Sequence, residues 1–195
     1  GGSLTTQLPI HGALHDTPLT QAELVHPAGV VQGLEGALED GLPHRLAVDP
    51  ELFPDIEGST DSEMLFFLAM THGLVQDPTA GVARAVGLGE DIARRHGIDL
   101  PVQMTVATTD GETTWAFRYS SEGKSRSLFR SADVSTLRAQ YPDHPVLHEL
   151  SDDARLVVSE PLGDLRGAWH EVPESSYVVV RGGDVETHPF TPTAA

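Results

Sequence analysis

The stretch EGSTDSEMLFFLAM, residues 57–70, decides the fold because it joins a helix start to an apolar helix. Thr60 and Glu63 have the spacing of a capping box, in which the first side chain accepts from the N–H three residues on and the glutamate reaches back. The apolar residues that follow predict a largely buried helix ending near Gly73. Asp61 is then not needed as the cap. On this pattern alone, stabilisation by the helix dipole, about 0.3–1 kcal/mol, is favoured over ligand binding for Asp61.

A second helix follows the first at once. Asp77 precedes Pro78, which is typical of a helix whose first position is proline, and Gly97 predicts its end. Its apolar residues recur at helical spacing and predict one buried face.

Beyond this helix, apolar residues recur at every second position, which predicts strands. QMTVATT, the turn Asp110-Gly111 and ETTWAFRYS predict a β-hairpin, because Asp-Gly suits the positive φ values of a tight turn. Three aromatic residues share one face of its second strand: Trp115, Phe117 and Tyr119.

The remaining segments complete the fold class. Further strands are predicted at residues 125–131, 155–160 and 176–181, with a short helix at 135–141 and a loop carrying Trp169. Two helices followed by four or five mostly antiparallel strands predict an α+β fold with helices on one face of a sheet.

The charge balance excludes two classes of partner. The chain carries 12 Lys and Arg against 29 Asp and Glu, a net charge of −17 with neutral histidine. Because nucleic-acid affinity depends on basic residues that contact phosphates, no nucleic-acid partner is expected. An anionic membrane surface is disfavoured for the same reason.

The chain has no cysteine, so its 195 residues hold no disulfide, thiolate metal site or cysteine nucleophile. No apolar run approaches the ~20 residues of a membrane span, and no signal peptide is visible. The expected location is the cytoplasm. The start Gly1-Gly2-Ser3 lacks methionine, which favours a processed, tagged or truncated beginning.

Two histidine pairs have the spacing of helical metal ligands: His11 with His15, and His144 with His148. Neither has the glutamate that zinc-protease sites place beside the first histidine, and Pro145 predicts that no helix forms around the second pair. We therefore expect loop histidines and no metal site. No phosphate-binding loop or serine elbow fits the chain either, so no cofactor is predicted.

Three longer segments carry a family resemblance: LAVDPELFPDIEGSTDSEMLFFLAMTHGL, PVQMTVATTDGETTWAFRYSSEGKSRSLF and RLVVSEPLGDLRGAWHEVPESSYVVV. In this order they resemble the class II glutamine amidotransferases, specifically the stand-alone glutaminase-type branch of the N-terminal-nucleophile hydrolases. The resemblance covers residues 46–190. It implies an αββα sandwich, with antiparallel sheets between flanking helix layers.

The resemblance also implies a reaction, the hydrolysis of the glutamine side-chain amide to glutamate and ammonia. In the family, an N-terminal cysteine attacks the amide, and the acidic residue of an S/T-D-S/T-E motif binds the α-ammonium of glutamine. That role falls on Asp61, with Thr60 of the same motif as a second substrate-binding residue. A synthase subunit is the macromolecular partner that the family implies.

This sequence departs from the family in its first part. It has neither cysteine nor asparagine, and residues 1–45 do not resemble the family segments expected there. We therefore assign residues 46–195 to the C-terminal part of the domain, leave 1–45 unassigned, and predict no catalytic residue. Two interpretations stay open: a truncated, inactive amidotransferase domain, or a non-catalytic pseudo-glutaminase that binds glutamine or acts as a scaffold. A third possibility is that the piece does not fold stably alone.

Overall fold

The structure is a computed structural model that describes residues 47–58, 60–161 and 167–193. These residues form a 3₁₀ helix (Pro50–Asp55), four α-helices and seven β-strands. The helices are α1 (Asp61–Thr71), α2 (Pro78–Arg95), α3 (Val134–Gln140) and α4 (Pro145–Glu149). None of the helices within these ranges combines the length and apolar composition that a membrane span requires.

The strands form two antiparallel sheets. They are β1 (Gln103–Thr109), β2 (Thr113–Ser120), β3 (Phe129–Ser131), β4 (Val157–Val158), β5 (Trp169–Glu171), β6 (Ser176–Arg181) and β7 (Asp184–Pro189). The first sheet has the order β1-β2-β6-β7, and the second has the order β4-β3-β5. The predicted α+β class with antiparallel strands is confirmed.

The β1–β2 hairpin forms where the Asp-Gly turn predicts it. Gly111 has φ 94°, which suits glycine. The Asp110 carboxylate accepts hydrogen bonds from the backbone N–H groups of Glu112 and Thr113, at 2.9 and 2.7 Å. The turn therefore sets the register, in which Val106 lies opposite Phe117.

One face of the first sheet packs against α1 and α2. Phe117 is fully buried there, with Trp115 and Tyr119 beside it, so the predicted aromatic face of β2 is confirmed. We call the apolar cluster between the first sheet and these helices the helix-side core. The helices contribute to it Met64, Phe67, Leu68, Val82 and Val86.

The opposite face of the first sheet packs against the second sheet. Ala116 of β2 and Val178 of β6 are fully buried there, against Leu128 and Val172 at the ends of β3 and β5. A third apolar cluster joins the second sheet to α3 and α4, through Leu137, Leu147, Ala168, Leu156 and Trp169. The described residues therefore stack as helices, sheet, sheet and helices.

The chain beyond β7 crosses α2. Phe190 packs in the helix-side core, and the Thr193 N–H donates to the carbonyl of Ala83 at 3.0 Å. Gly87 permits this crossing, since a Cβ there would lie 1.9 Å from the Thr193 carbonyl oxygen.

Several predicted elements differ from the observed ones. The strand predicted at residues 125–131 is confined to Phe129–Ser131, and the strand at 155–160 to Val157–Val158. Trp169, expected in a loop, begins β5. Pro145, expected to prevent a helix, occupies the first position of α4, where a missing N–H costs no hydrogen bond.

Candidate functional site

Thr60 caps α1 as the sequence predicts. Its backbone is extended, and its Oγ1 accepts a hydrogen bond from the Glu63 N–H at 3.3 Å. This bond satisfies one of the N–H groups that a helix start leaves without an intrahelical partner.

The Glu63 side chain reaches further back than a capping box requires. Its Oε1 accepts from the backbone N–H groups of Glu57 and Gly58, at 2.9 and 3.1 Å. The residue is 5% exposed. Gly58 lies directly against it, because a Cβ at Gly58 would be 2.5 Å from Glu63 Oε2. Glu63 thus ties the loop before α1 to the first turn of the helix.

The two predicted substrate-binding residues lie together at this helix start. Asp61 is half-buried, and its Oδ1 accepts from the Ser62 N–H at 2.8 Å. Thr60 is exposed, and its Oγ1 also accepts from the Ser62 hydroxyl at 3.3 Å. A carboxylate with a neighbouring hydroxyl can accept charge-assisted hydrogen bonds from an ammonium group. The role of both residues in glutamine binding stays a prediction.

Two apolar cavities lie between α1 and the β1–β2 hairpin. A narrow one of about 40 Å³ begins at Ser62 and runs past Phe66 to Thr108. The lining of a wider one, of about 230 Å³, includes Phe66, Asp110 and Trp115. Ser62, the residue after Asp61, therefore lines the narrow cavity.

Of the two histidine pairs, His144 and His148 lie among the residues that the structure describes. His148 Nε2 bonds the carbonyl oxygen of Pro142 at 2.8 Å, while His144 caps α4 without a side-chain bond. No group of three or more metal-ligating side chains occurs in residues 47–58, 60–161 and 167–193. His11 and His15 lie outside these residues.

An ion-pair network connects the two sheets, and no local sequence signal could have predicted it. Arg118 of β2 is largely buried and bonds Glu171 of β5 at 2.7 Å. Its Nε donates to the Ser125 hydroxyl at 2.9 Å, and that hydroxyl donates to Glu174 Oε2 at 2.6 Å. Partial burial alone would raise the pKa of Glu174, but the hydrogen bonds from Ser125 and the charge of Arg118 lower it overall.

A second polar cluster lies at the far end of α2. Glu90 accepts from the hydroxyls of Tyr119 and Ser121, at 2.7 and 2.5 Å. Burial, together with the Glu90 carboxylate, raises the pKa of the Tyr119 hydroxyl well above its ordinary value. The cluster borders an open cavity of about 480 Å³. It lies away from the helix start that carries Asp61.

The chain is similar in sequence to a curated protein and in structure to solved proteins, among them a class II domain protein. The chain is 27% identical over 206 residues to the probable glutamine amidotransferase DUG3 of Saccharomyces cerevisiae, a match that covers 92% of this chain and 57% of the yeast protein. It is 29% identical to a solved glutamine aminotransferase class-II domain protein from Silicibacter pomeroyi. That superposition has a TM-score of 0.68 and covers 85% of this chain and 66% of the bacterial one. No protein-family model matches.

The chain is a homologue of class II glutamine amidotransferase domains over most of its length. It spans 57% of the length of the yeast relative and 66% of the bacterial one. Residues 46–195 make up about three quarters of the sequence, so the alignment with the yeast protein also includes residues upstream of Leu46. The domain boundary predicted there stays a prediction.

Proposed function

We propose that residues 46–195 form part of a class II glutamine amidotransferase domain with the αββα sandwich of the N-terminal-nucleophile hydrolases. The packing order of helices, sheet, sheet and helices supports this architecture. The similarity to two class II proteins supports the same assignment.

The proposed ligand is glutamine, whose α-ammonium Asp61 binds with help from Thr60. The observation that carries this proposal is that the Thr60 hydroxyl and the Asp61 carboxylate lie side by side at the start of α1, where Thr60 caps the helix and Asp61 Oδ1 accepts from the Ser62 N–H. The cavity that Ser62 lines supports it, because it places open space next to the residue that follows Asp61. The proposed macromolecular partner is a synthase subunit, for which this chain acts as a scaffold.

The 195 residues contain no cysteine, so they supply no thiolate for attack on the amide. Loss of the nucleophile in a comparable hydrolase lowers turnover on the order of a millionfold. We therefore propose that this chain, by itself, binds glutamine without hydrolysing it.

Ammonia release and glutamine titration test this proposal. We expect ammonia at the level of buffer, and weak, saturable glutamine binding by calorimetry. Asp61→Asn keeps the shape of the side chain but removes its charge, so affinity should fall about tenfold, or ~1.4 kcal/mol.

The matched control is Asp99→Asn, which removes the same charge at an exposed position beyond α2. It should leave glutamine affinity unchanged. Equal affinities for wild type and Asp61→Asn would remove Asp61 from the site. Turnover clearly above buffer would contradict the absence of a nucleophile.

A further inference from the structure

Glu63 is a buried carboxylate whose partners are backbone groups. Among the residues that the structure describes, no ion pair involves Glu63, although the residue is only 5% exposed. Its carboxylate instead accepts from the N–H groups of Glu57 and Gly58. A buried carboxylate is costly unless such bonds compensate it, so the bonds and the position of the loop depend on each other.

Both ends of the segment that carries the candidate site are attached to Glu63. At one end, its carboxylate holds the backbone of Glu57 and Gly58. At the other end, its N–H bonds the Thr60 hydroxyl. Thr60 is itself attached, and Asp61 lies between Thr60 and Glu63, so the direction of both side chains depends on where Glu63 holds the chain.

Gly58 permits a close approach between the Glu63 carboxylate and the backbone of the loop. A Cβ at residue 58 would approach Glu63 Oε2 to 2.5 Å, well inside the contact distance that real side chains show. The carboxylate therefore lies directly over the backbone that it bonds.

We propose that Glu63 is a positioning residue that holds Asp61 and Thr60 in the geometry that binds the ligand ammonium. This inference rests on the proposed function, since it concerns the same ligand site. Glu63 itself does not contact the ligand; it acts through the loop that precedes α1.

Three substitutions at this position separate hydrogen bonding from charge and volume. Glu63→Gln keeps a carbonyl oxygen that can accept both N–H groups. Glu63→Met keeps the length of the side chain but no comparable acceptor, and Glu63→Asp keeps the charge but shortens the reach. Glu57→Gln is the control, because Glu57 is exposed and takes part through its backbone N–H.

Amide hydrogen exchange rates measure the effect of each substitution on the helix start in the absence of ligand. Glu63→Met should accelerate exchange at Glu57, Gly58 and Ser62 by about tenfold or more, because the loop and the Asp61–Ser62 bond loosen together. Glu63→Asp should act in the same direction. Glu63→Gln and the control should stay near wild type at residues 58 and 62.

Glutamine titration gives the second measurement, at a temperature where every variant is folded. Glu63→Met should weaken binding about tenfold, and Glu63→Gln should retain it within about threefold. If Glu63→Met unfolds, Glu63→Asp carries the same test. Unchanged exchange at Ser62 in the tested variant would overturn the proposal, as would unchanged glutamine affinity where wild type binds. Equal damage from Glu63→Gln and Glu63→Met would also overturn it.

The two proposals fail in different ways. If no variant and no wild-type protein binds glutamine but the exchange pattern is as expected, Glu63 still positions Asp61, and the glutamine-binding function is wrong. If wild type binds glutamine and Asp61→Asn weakens it, but Glu63→Met and Glu63→Asp do not, the positioning role alone is wrong.

Discussion

Glu174 holds the chain that leads into β6. Its carboxylate accepts from both the N–H and the hydroxyl of Ser125, at 2.7 and 2.6 Å, and Arg118 lies 3.9 Å away. These partners favour the ionised form, so the pKa in the folded protein lies below the ordinary value of 4.5. The stabilisation is therefore present above the pKa of the unfolded chain and is lost as pH falls through the folded pKa.

This linkage predicts a pH-dependent effect of Glu174→Gln. The substitution should lower the free energy of unfolding at pH 7, and the difference from wild type should shrink as pH falls below about 4.5. Urea unfolding at a series of pH values measures it. Glu112→Gln is the control, because its side chain is 82% exposed and its pair with Arg181 contributes little. A Glu174→Gln effect that stays constant down to pH 3 would contradict the linkage.

At the residue scale, local spacing predicted only part of the candidate site. Thr60 was found because its bond to Glu63 spans three residues of one helix turn. The partners of the Glu63 carboxylate depend on the path of the preceding loop, which helix periodicity does not determine. Glu174 and Arg118 are distant in sequence, so no local pattern joins them.

Two of the three buried glycines of helix α2, Gly87 and Gly89, have opposite surroundings. A Cβ at Gly87 would strike the Thr193 carbonyl at 1.9 Å, whereas a Cβ at Gly89 would meet nothing within 4 Å. Gly87→Ala must displace the tail after β7 and should destabilise the protein by about 1–3 kcal/mol. Gly89→Ala should stabilise it by about 0.5–1 kcal/mol, because alanine reduces the backbone freedom of the unfolded chain.

Chemical denaturation of both variants measures this contrast. The two substitutions add the same methyl group to the same helix, so a difference in helix propensity cannot explain opposite signs. Equal stability changes at Gly87 and Gly89 would mean that the tail does not rest on α2.

At the element scale, most elements were predicted, including the short helix α3 and the strand β6, whereas β5 and β7 were not. α1, α2 and the β1–β2 hairpin have their own caps, turns and periodicity. β5 has three residues, whose strand conformation depends on pairing with β3. Buried and exposed residues alternate little along β7, because the strand lies at the sheet edge. Its sequence therefore gives only a weak strand pattern.

The three apolar clusters share elements, which predicts cooperative unfolding of the described layers. Neighbouring residues of β2 belong to two different clusters, because Phe117 packs in the helix-side core and Ala116 packs against the second sheet. The two tryptophans report on different layers: Trp115 on the helix-side core and Trp169 on the cluster beneath α3 and α4. Removal of one layer would therefore uncover apolar surface in the next.

Two single-tryptophan variants test this cooperativity. Trp169→Phe leaves Trp115, and Trp115→Phe leaves Trp169, as the chain has 2 tryptophans. In each variant the fluorescence midpoint in urea should coincide with the midpoint from circular dichroism. Separate midpoints in either variant would show that the layers unfold independently. A broad transition without a baseline would instead support the possibility that the piece does not fold stably alone.

At the scale of the whole molecule, the α+β class followed from periodicity, because helix and strand periods occupy different parts of the chain. The stacking of two sheets did not follow from periodicity. It depends on the short strands β3, β4 and β5, whose pairing partners are far apart in sequence.

The contact between Gly58 and Glu63 also bears on the history of this helix start. While the carboxylate remains, a side chain at residue 58 would meet Glu63 Oε2 at 2.5 Å, so the Glu63 side chain would have to shift from the N–H groups that it bonds. A lineage that first loses the carboxylate would be released from this constraint. The reverse order would pass through a strained intermediate, so the two positions do not drift independently.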